Sequence, residues 1–228
     1  VWYLYQNKIL QNSFLDVKSN HEKEILIQNG FKNIEVLPNA IDFSMIDESY
    51  TSYENNKYFE QYGIPRKTKV LLFLSRIHPR KGLEQLLSAW NDICKDFSDW
   101  CLLIVGPDED FYKEKILRKF SNSSALKFFD SSTKKETSYI PNVVFTGPVF
   151  GADKYKIYRN SNLFILPSNF ENFGLTIAEA LSMGLPVIVS VNSPWEEIIS
   201  NCCGWQIEQE INSIRDNLIV SLSKSIDE

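Results

Sequence analysis

The chain has 228 residues, of which 43% are hydrophobic, and this composition is typical of a soluble globular protein with one sizeable core or two small ones. Its formal net charge of −5 argues against nucleic-acid binding that is independent of sequence, because such proteins need an excess of Lys and Arg. The four cysteines form no CxxC pair and the two histidines lie far apart, so we expect reduced thiols, no metal site and a cytoplasmic protein.

The start of the chain predicts a small separate unit. The run YLYQNKILQNS is typical of a helix and FLDVKS of a strand, and a second helix follows that Ser19 caps and Gly30 ends. A strand and a turn come next in IEVLPNAID. Pro38 and Asn39 mark a boundary. The unit either belongs to the main sheet or is the tail of a preceding domain, and the absence of an initiator Met predicts a piece of a longer chain.

From Lys69 onward, short apolar runs alternate with amphipathic stretches. Continuous apolar runs indicate strands covered on both faces, as in a parallel sheet. The runs are KVLLFLS, WCLLIVG, NVVFTG, NLFILPS and LPVIVS. We predict helices over residues 82–97, 111–120 and 154–159, a last strand over 204–207, a helix to about residue 223 and a surface loop over 121–138. The fold class is therefore α/β, with a Rossmann-like, doubly wound parallel sheet.

In such sheets, ligands bind outside the carboxyl ends of the strands, and two cations follow the first strand of this one. Arg76 ends the strand and Lys81 begins the next helix. Together they could neutralise a diphosphate, and the alternative is a pair of solvated loop charges.

A second strand end carries two carboxylates and a glycine. In SNFENFGL the helix begins near Gly174, where free backbone N–H groups and a close backbone approach suit a phosphate or a sugar. Glu171 precedes that helix. Glu179 lies on its polar stripe and could accept hydrogen bonds from ribose hydroxyls, or it could be a capping or surface glutamate. Trp195, after a later strand, could form a wall of the cleft or belong to the core.

Other enzyme signatures are missing from the sequence. GxGxxG after the first strand, GxxxxGK[ST] and GxSxG are all absent, so dehydrogenase, P-loop and α/β-hydrolase interpretations lack their motifs. The nearest match to the acidic cluster of metal-assisted sugar transfer is PDED at residues 107–110, where a helix N-terminus favours acids in any case.

Several segments together resemble the C-terminal domain of the retaining glycosyltransferases of family 4. They run in order from about Pro38 to Trp205, and they are VLPNAID, FLSRIHPRKGLEQLLSAW, LLIVGP, VVFTGPVFGADKYKIYRNSNLFILPSNFENFGLTIAEALSMGLPVIVS and SPWEEII with CCGW. The resemblance implies the GT-B architecture, in which two Rossmann-like domains face each other across a cleft. Residues 1–38 would be a remnant of the N-terminal acceptor domain with its linker, and residues 39–228 the nucleotide-sugar-binding domain.

The resemblance also implies roles for particular residues. Glu171 and Glu179 meet the family's E-x7-E signature, so that Glu171 would face the donor sugar and Glu179 the ribose. The family's diphosphate-binding pair matches Arg76 and Lys81. Backbone contacts to sugar and diphosphate would come from Phe173, Gly174 and Leu175. In this scheme the catalytic residues are Glu171, Arg76 and Lys81.

The activity implied is that of a hexosyltransferase-like enzyme of polysaccharide or lipopolysaccharide biosynthesis. It would transfer a sugar from a nucleotide-diphosphate sugar, with retention and without an obligatory metal or other cofactor. A glycan or lipid-linked acceptor would bind through the N-terminal domain, with the enzyme peripheral to the inner face of the membrane, and we expect this chain alone to transfer no sugar. The alternatives are a non-catalytic nucleotide-sugar-binding module and a nucleotide-sugar epimerase.

The sequence departs from the family pattern at two positions. Ser75 replaces the usual Gly before the Arg of the first loop. Ala40 replaces the Gly of the commoner PNG, where a left-handed turn would be strained.

Overall fold

The computed structural model describes residues 11, 13–41, 44, 46, 57–133 and 138–224. The helix predicted in YLYQNKILQNS lies almost wholly outside these residues. Within them the chain forms two parallel sheets, one of two strands and one of seven.

The two-stranded sheet is a strand–helix–strand unit near the start of the chain. Strand β1 (Leu15–Val17) pairs in parallel with β2 (Ile34–Val36), and helix α1 (Asn20–Gln28) connects them. The Ser19 hydroxyl accepts a hydrogen bond from the Glu22 N–H, and Gly30, with a φ of +88°, follows the end of the helix. The predicted strands, helix, cap and terminating glycine are confirmed, and the pair forms a sheet of its own.

The large sheet contains every apolar run predicted as a strand. The strands are β3 (Lys69–Leu74), β4 (Trp100–Val105), β5 (Phe128–Asp130), β6 (Val143–Gly147), β7 (Leu163–Leu166), β8 (Val187–Ser190) and β9 (Gly204–Ile207). Their order in the sheet is β5-β6-β4-β3-β7-β8-β9, and all neighbouring pairs are parallel. Strands β4, β7 and β8 are buried along their whole length, as a sheet covered on both faces requires.

Helices cover the two faces of this sheet. They are α2 (Leu83–Ile93), α3 (Tyr112–Lys119), α4 (Gly151–Asn160), α5 (Leu175–Ser182), α6 (Glu197–Ser200) and α7 (Ile211–Leu222). Helix α2 shows why the amphipathic pattern predicts them, since Leu83, Leu86 and Trp90 are fully buried while Glu84 stays partly exposed. Short 3-10 turns occur at Lys57–Tyr62, Pro79–Lys81 and Ser131–Thr133.

The prediction of a surface loop over residues 121–138 is wrong in part. Phe128–Asp130 forms the edge strand β5, which pairs with β6 from Phe128 opposite Val143 to Asp130 opposite Phe145. A strand of three residues carries no usable periodicity, so the sheet edge beside it decides its conformation.

Candidate active site

The candidate site is a cleft at the carboxyl ends of the central strands. Strand β3 lies between β4 and β7. The strands that follow β3 directly in the sequence are added on one side of it, and the later strands β7 to β9 are added on the other side, so the strand order reverses at β3. Crevices of this kind are where doubly wound sheets bind ligands. The cleft has a volume of about 350 Å³ and brings together six predicted residues: Arg76, Lys81, Glu171, Gly174, Leu175 and Glu179.

Phe173, the remaining predicted residue, lies beside this cleft. It lines a neighbouring cavity of about 260 Å³, which is also lined by Ser19, Pro38 and Glu197. Phe173 therefore faces a cavity that it shares with the strand–helix–strand unit near the start of the chain.

The loop after β3 places Lys81 beside Glu171. Gly82 has a φ of +72°, and a Cβ atom there would come within 2.0 Å of the Pro167 carbonyl oxygen, so only glycine lets this loop touch the end of β7. As a result, Lys81 Nζ donates to Glu171 Oε1 at 2.5 Å, and the two side chains are only 15% and 11% exposed. The Ser168 hydroxyl donates to the same carboxylate oxygen at 2.7 Å.

Arg76 is paired with a carboxylate that the sequence reasoning did not single out. Its Nη1 lies 2.8 Å from Glu109 Oε1, and both side chains remain exposed, at 58% and 36%. Glu109 belongs to the acidic stretch at 107–110. Asp108 in the same stretch accepts a hydrogen bond from the Lys113 N–H, near the start of α3, as expected for an acid at a helix N-terminus.

Glu179 is buried, and the interpretation of a surface glutamate is therefore wrong. It is 3% exposed, and both of its oxygens are occupied. Lys154 Nζ donates to Oε1 at 2.5 Å, and the Tyr158 hydroxyl donates to Oε2 at 2.9 Å. Burial first, and then the Glu179 carboxylate, raise the pKa of Tyr158 well above its ordinary value, so this hydroxyl keeps its proton and acts as a donor.

Sequence reasoning missed Lys154 and Tyr158, although a signal for them exists. They lie four residues apart, which puts them on one face of the predicted helix after the strand NVVFTG. A lysine and a tyrosine on one helix face near a strand end are both hydrogen-bond donors, so the pattern predicts a shared acceptor. In the structure that acceptor is the Glu179 carboxylate.

Gly174 begins α5, with a φ of +75°. A Cβ atom there would lie 2.7 Å from Ile177 Cδ1 and 3.3 Å from Trp195 Nε1, so the turn is closely packed on both sides. Trp195 Nε1 donates to the Phe173 carbonyl oxygen at 2.5 Å, and the two rings lie 5.5 Å apart. Trp195 is partly buried against the core and is not among the residues that line the cleft, so the core role is the one observed, with a hydrogen bond that supports Phe173.

Both departures from the family pattern are accommodated by the backbone. Ala40 and Ser75 are not among the described non-glycine residues with positive φ, so neither is strained in that way. The close approach beside Ser75 is made by Gly106, because a Cβ atom on Gly106 would come within 1.9 Å of the Ser75 carbonyl oxygen.

The described residues contain neither a cluster suited to a metal ion nor a helix suited to span a membrane. No group of three His, Cys, Asp or Glu side chains that could hold a metal ion occurs in the part of the chain that the structure describes. None of the helices described there is long and apolar enough to cross a bilayer.

Residues 54–223 match the protein family described as glycosyl transferases group 1. The chain belongs to this family. The family and the fold class predicted from the sequence are thereby confirmed.

This group 1 glycosyltransferase chain is similar to one curated relative and to two solved structures described below. Alpha-monoglucosyldiacylglycerol synthase of Streptococcus pneumoniae is 29% identical over 167 residues, which cover 73% of this chain and 34% of that protein. The structure of HepE from Anabaena, in complex with UDP and glucose, is 19% identical with a TM-score of 0.70, covering 93% of this chain and 54% of that one. The C-terminal domain of a group 1 protein from Francisella tularensis is 21% identical with a TM-score of 0.62, covering 81% of this chain and 89% of that domain.

These likenesses to solved structures show the fold, which is the Rossmann-like half of GT-B glycosyltransferases. The chain spans 31% to 39% of the length of the first curated relatives that it matches.

Proposed function

We propose that this chain is the donor-binding part of a retaining glycosyltransferase, which transfers a sugar from a nucleotide-diphosphate sugar to an acceptor. The observation that carries the proposal is the cleft itself. It brings two cations and two carboxylates, Arg76, Lys81, Glu171 and Glu179, from two separate loops and a helix into about 350 Å³ beside a helix N-terminus. Membership of the glycosyl transferases group 1 family supports the same activity.

The diphosphate is assigned to Arg76, Lys81 and the N-terminus of α5. Both cations already have carboxylate partners, Glu109 and Glu171, so phosphate oxygens would join or replace these contacts. The first N–H groups of α5 lack partners within the helix and point their partial positive charge at the same place. When the bond from the sugar to the diphosphate breaks, these groups stabilise the charge that develops on the leaving group.

The two carboxylates are assigned to opposite ends of the donor. Glu179 lies deep in the cleft and accepts the ribose hydroxyls. Glu171 orients the transferred sugar, since Lys81 and Ser168 both bind its Oε1, while Oε2 has no hydrogen-bond partner among the described residues. Backbone groups of Gly174 and Leu175 meet the sugar and the diphosphate, and Phe173 supports this segment from the neighbouring cavity.

For the acceptor we propose a glycan or a lipid-linked hydroxyl, bound through a facing domain, by an enzyme peripheral to the cytoplasmic face of a membrane. Support comes from the name of the relative from Streptococcus pneumoniae, a synthase whose product is a glycolipid.

A ligand screen tests the donor assignment. UDP, GDP, ADP and their sugars are each added to the chain, and the thermal midpoint is measured. At about a hundredfold excess over Kd, a ligand of the folded state adds about 2.7 kcal/mol, which for a domain of this size raises the midpoint by roughly 5–10 °C. We expect at least one of the three nucleotides to do so.

Two lysine variants serve as matched controls for this screen. Lys81→Met should lose most of the shift, whereas Lys113→Met should keep it, because Lys113 forms an ion pair of similar burial with Asp130 away from the cleft. A chain whose midpoint none of the three nucleotides changes would not be a donor-binding domain.

Glu109 competes with the diphosphate for Arg76, so removing its charge should tighten nucleotide binding. An exposed pair of this kind contributes up to about 1 kcal/mol, so Glu109→Gln should raise the affinity for the preferred nucleotide about two- to fivefold in a titration. Glu114→Gln is the control, since Glu114 forms an exposed pair with Arg118 on α3. Weaker binding by Glu109→Gln would mean that Glu109 helps to hold the ligand.

A further inference from the structure

Lys154 reaches the cleft from α4, and no step of the proposed function uses it. Its side chain is 23% exposed and lines the cleft, while its Nζ donates to the buried Oε1 of Glu179. Lys156, two residues further along the same helix, has a side chain of similar exposure, at 26%, but pairs with Asp153 on the surface. Of these two neighbouring lysines, only Lys154 faces the proposed nucleotide site.

The burial of Glu179 explains why a cation is needed beside it. A carboxylate removed from water is costly unless a positive charge and hydrogen bonds accompany it, and breaking such a pair leaves an uncompensated charge. Tyr158 supplies a hydrogen bond but no charge. Among the described residues, Lys154 is the cation that contacts Glu179.

The same two contacts determine which lone pairs of Glu179 remain for a ligand. A carboxylate has about four acceptor positions, and Lys154 and Tyr158 each occupy one, on different oxygens. This fixes the plane of the carboxylate and leaves about two positions open, which equals the number of free hydroxyl groups, 2′ and 3′, on the ribose of a nucleoside diphosphate.

We propose that Lys154 is a positioning residue of the nucleotide site, which holds and orients the buried Glu179 carboxylate and thereby makes the site selective for ribonucleotides over deoxyribonucleotides. This inference rests on the proposed function. Without Lys154, the buried carboxylate loses its charge partner and turns toward water, so it no longer offers two fixed acceptors to the ribose.

The test measures the affinity of the 228-residue chain for UDP and for 2′-deoxy-UDP, or for the corresponding pair of GDP or ADP if the parent prefers that base. The parent should bind the ribonucleotide about tenfold or more tightly than its deoxy form, as expected for one charge-assisted hydrogen bond. Lys154→Met should lose about tenfold in affinity for the ribonucleotide and bind both forms within about twofold. Lys154→Arg should restore most of the preference, and Lys156→Met should behave as the parent.

A double variant separates positioning from direct contact. If Lys154 acts only through Glu179, then Lys154→Met combined with Glu179→Gln should bind no more weakly than Glu179→Gln alone. This double variant also removes the uncompensated buried charge, so it keeps the test open should Lys154→Met fail to fold.

Three results would overturn the inference. These are an unchanged ribose preference in Lys154→Met, losses that add in the double variant, and an equal loss in Lys156→Met. The proposed function is judged separately, because it fails only if the parent itself binds none of the three nucleotides, and the inference then fails with it.

Discussion

Glu179→Ala is expected to lower the affinity for a nucleoside diphosphate by about ten- to a hundredfold. The reason is that a charged hydrogen bond to a ribose hydroxyl contributes roughly 1.5–3 kcal/mol. Glu179 is buried against Lys154, so the truncation also leaves a lysine unpaired. Glu179→Gln, which keeps the shape of the side chain, should therefore accompany it in the same titration.

Glu171→Ala should lower turnover and not nucleotide affinity, in contrast to Glu179→Ala. Its binding of the diphosphate nucleotide without a sugar should not weaken, because the proposed partner of Glu171 is the sugar and its removal leaves Lys81 free for the diphosphate. In a protein that includes the acceptor domain, turnover should fall heavily, since a contact at the reacting centre is felt most in the transition state. If Glu171→Ala loses nucleotide affinity while Glu179→Ala keeps it, the two roles are assigned the wrong way round.

Gly106→Ala is expected to destabilise the domain strongly. The new Cβ atom would lie 1.9 Å from the Ser75 carbonyl oxygen, and Gly106 has a φ of +145°, which L residues rarely adopt. Overpacking and backbone strain each cost about 1–3 kcal/mol, so the free energy of unfolding should drop by about 2–6 kcal/mol. For a domain of this size the thermal midpoint would fall by roughly 5–25 °C.

Gly184→Ala is the matched control for this change. Gly184 has a φ of +75°, but a Cβ atom there would have no atom within 4 Å, so only the backbone cost of about 1–2 kcal/mol should appear. Equal midpoints for the two alanine variants would contradict the close contact between the ends of β3 and β4. A larger fall for Gly106→Ala would confirm that the backbone at this position is closely packed.

The sequence predicts the main sheet well because its signal is local. Buried parallel strands need continuous apolar runs, and the run WCLLIVG becomes β4 with every residue of the strand buried. Site residues such as Arg76 and Lys81 are also predictable, since they follow a strand directly and the sheet topology places strand ends together. The pairing of β5 with the edge of the sheet is not local, and no pattern in FFD predicts it.

The partners of the site residues are harder to predict, because the chain brings them from far away. Glu109 lies 33 residues from Arg76, and Lys154 lies 25 residues from Glu179. A spacing rule holds only within one helix or strand, whereas these pairs depend on how loops from different strands meet. The sequence also does not reveal which polar side chains are buried. For Glu179 it therefore leaves two interpretations open, a ribose acceptor and a capping or surface glutamate.

The hydrogen bond from Trp195 to Phe173 has a consequence for the thermodynamics of binding. It joins the loop after β8 to the loop after β7, next to Gly174, through contacts within the protein itself. Because these loops are already held in place, they lose little conformational entropy when a ligand binds. Ordering a flexible side chain on binding would cost about 0.5–1.5 kcal/mol. This side of the cleft is therefore preorganised, and the entropic penalty of binding falls mainly on the ligand and on the exposed side chain of Arg76.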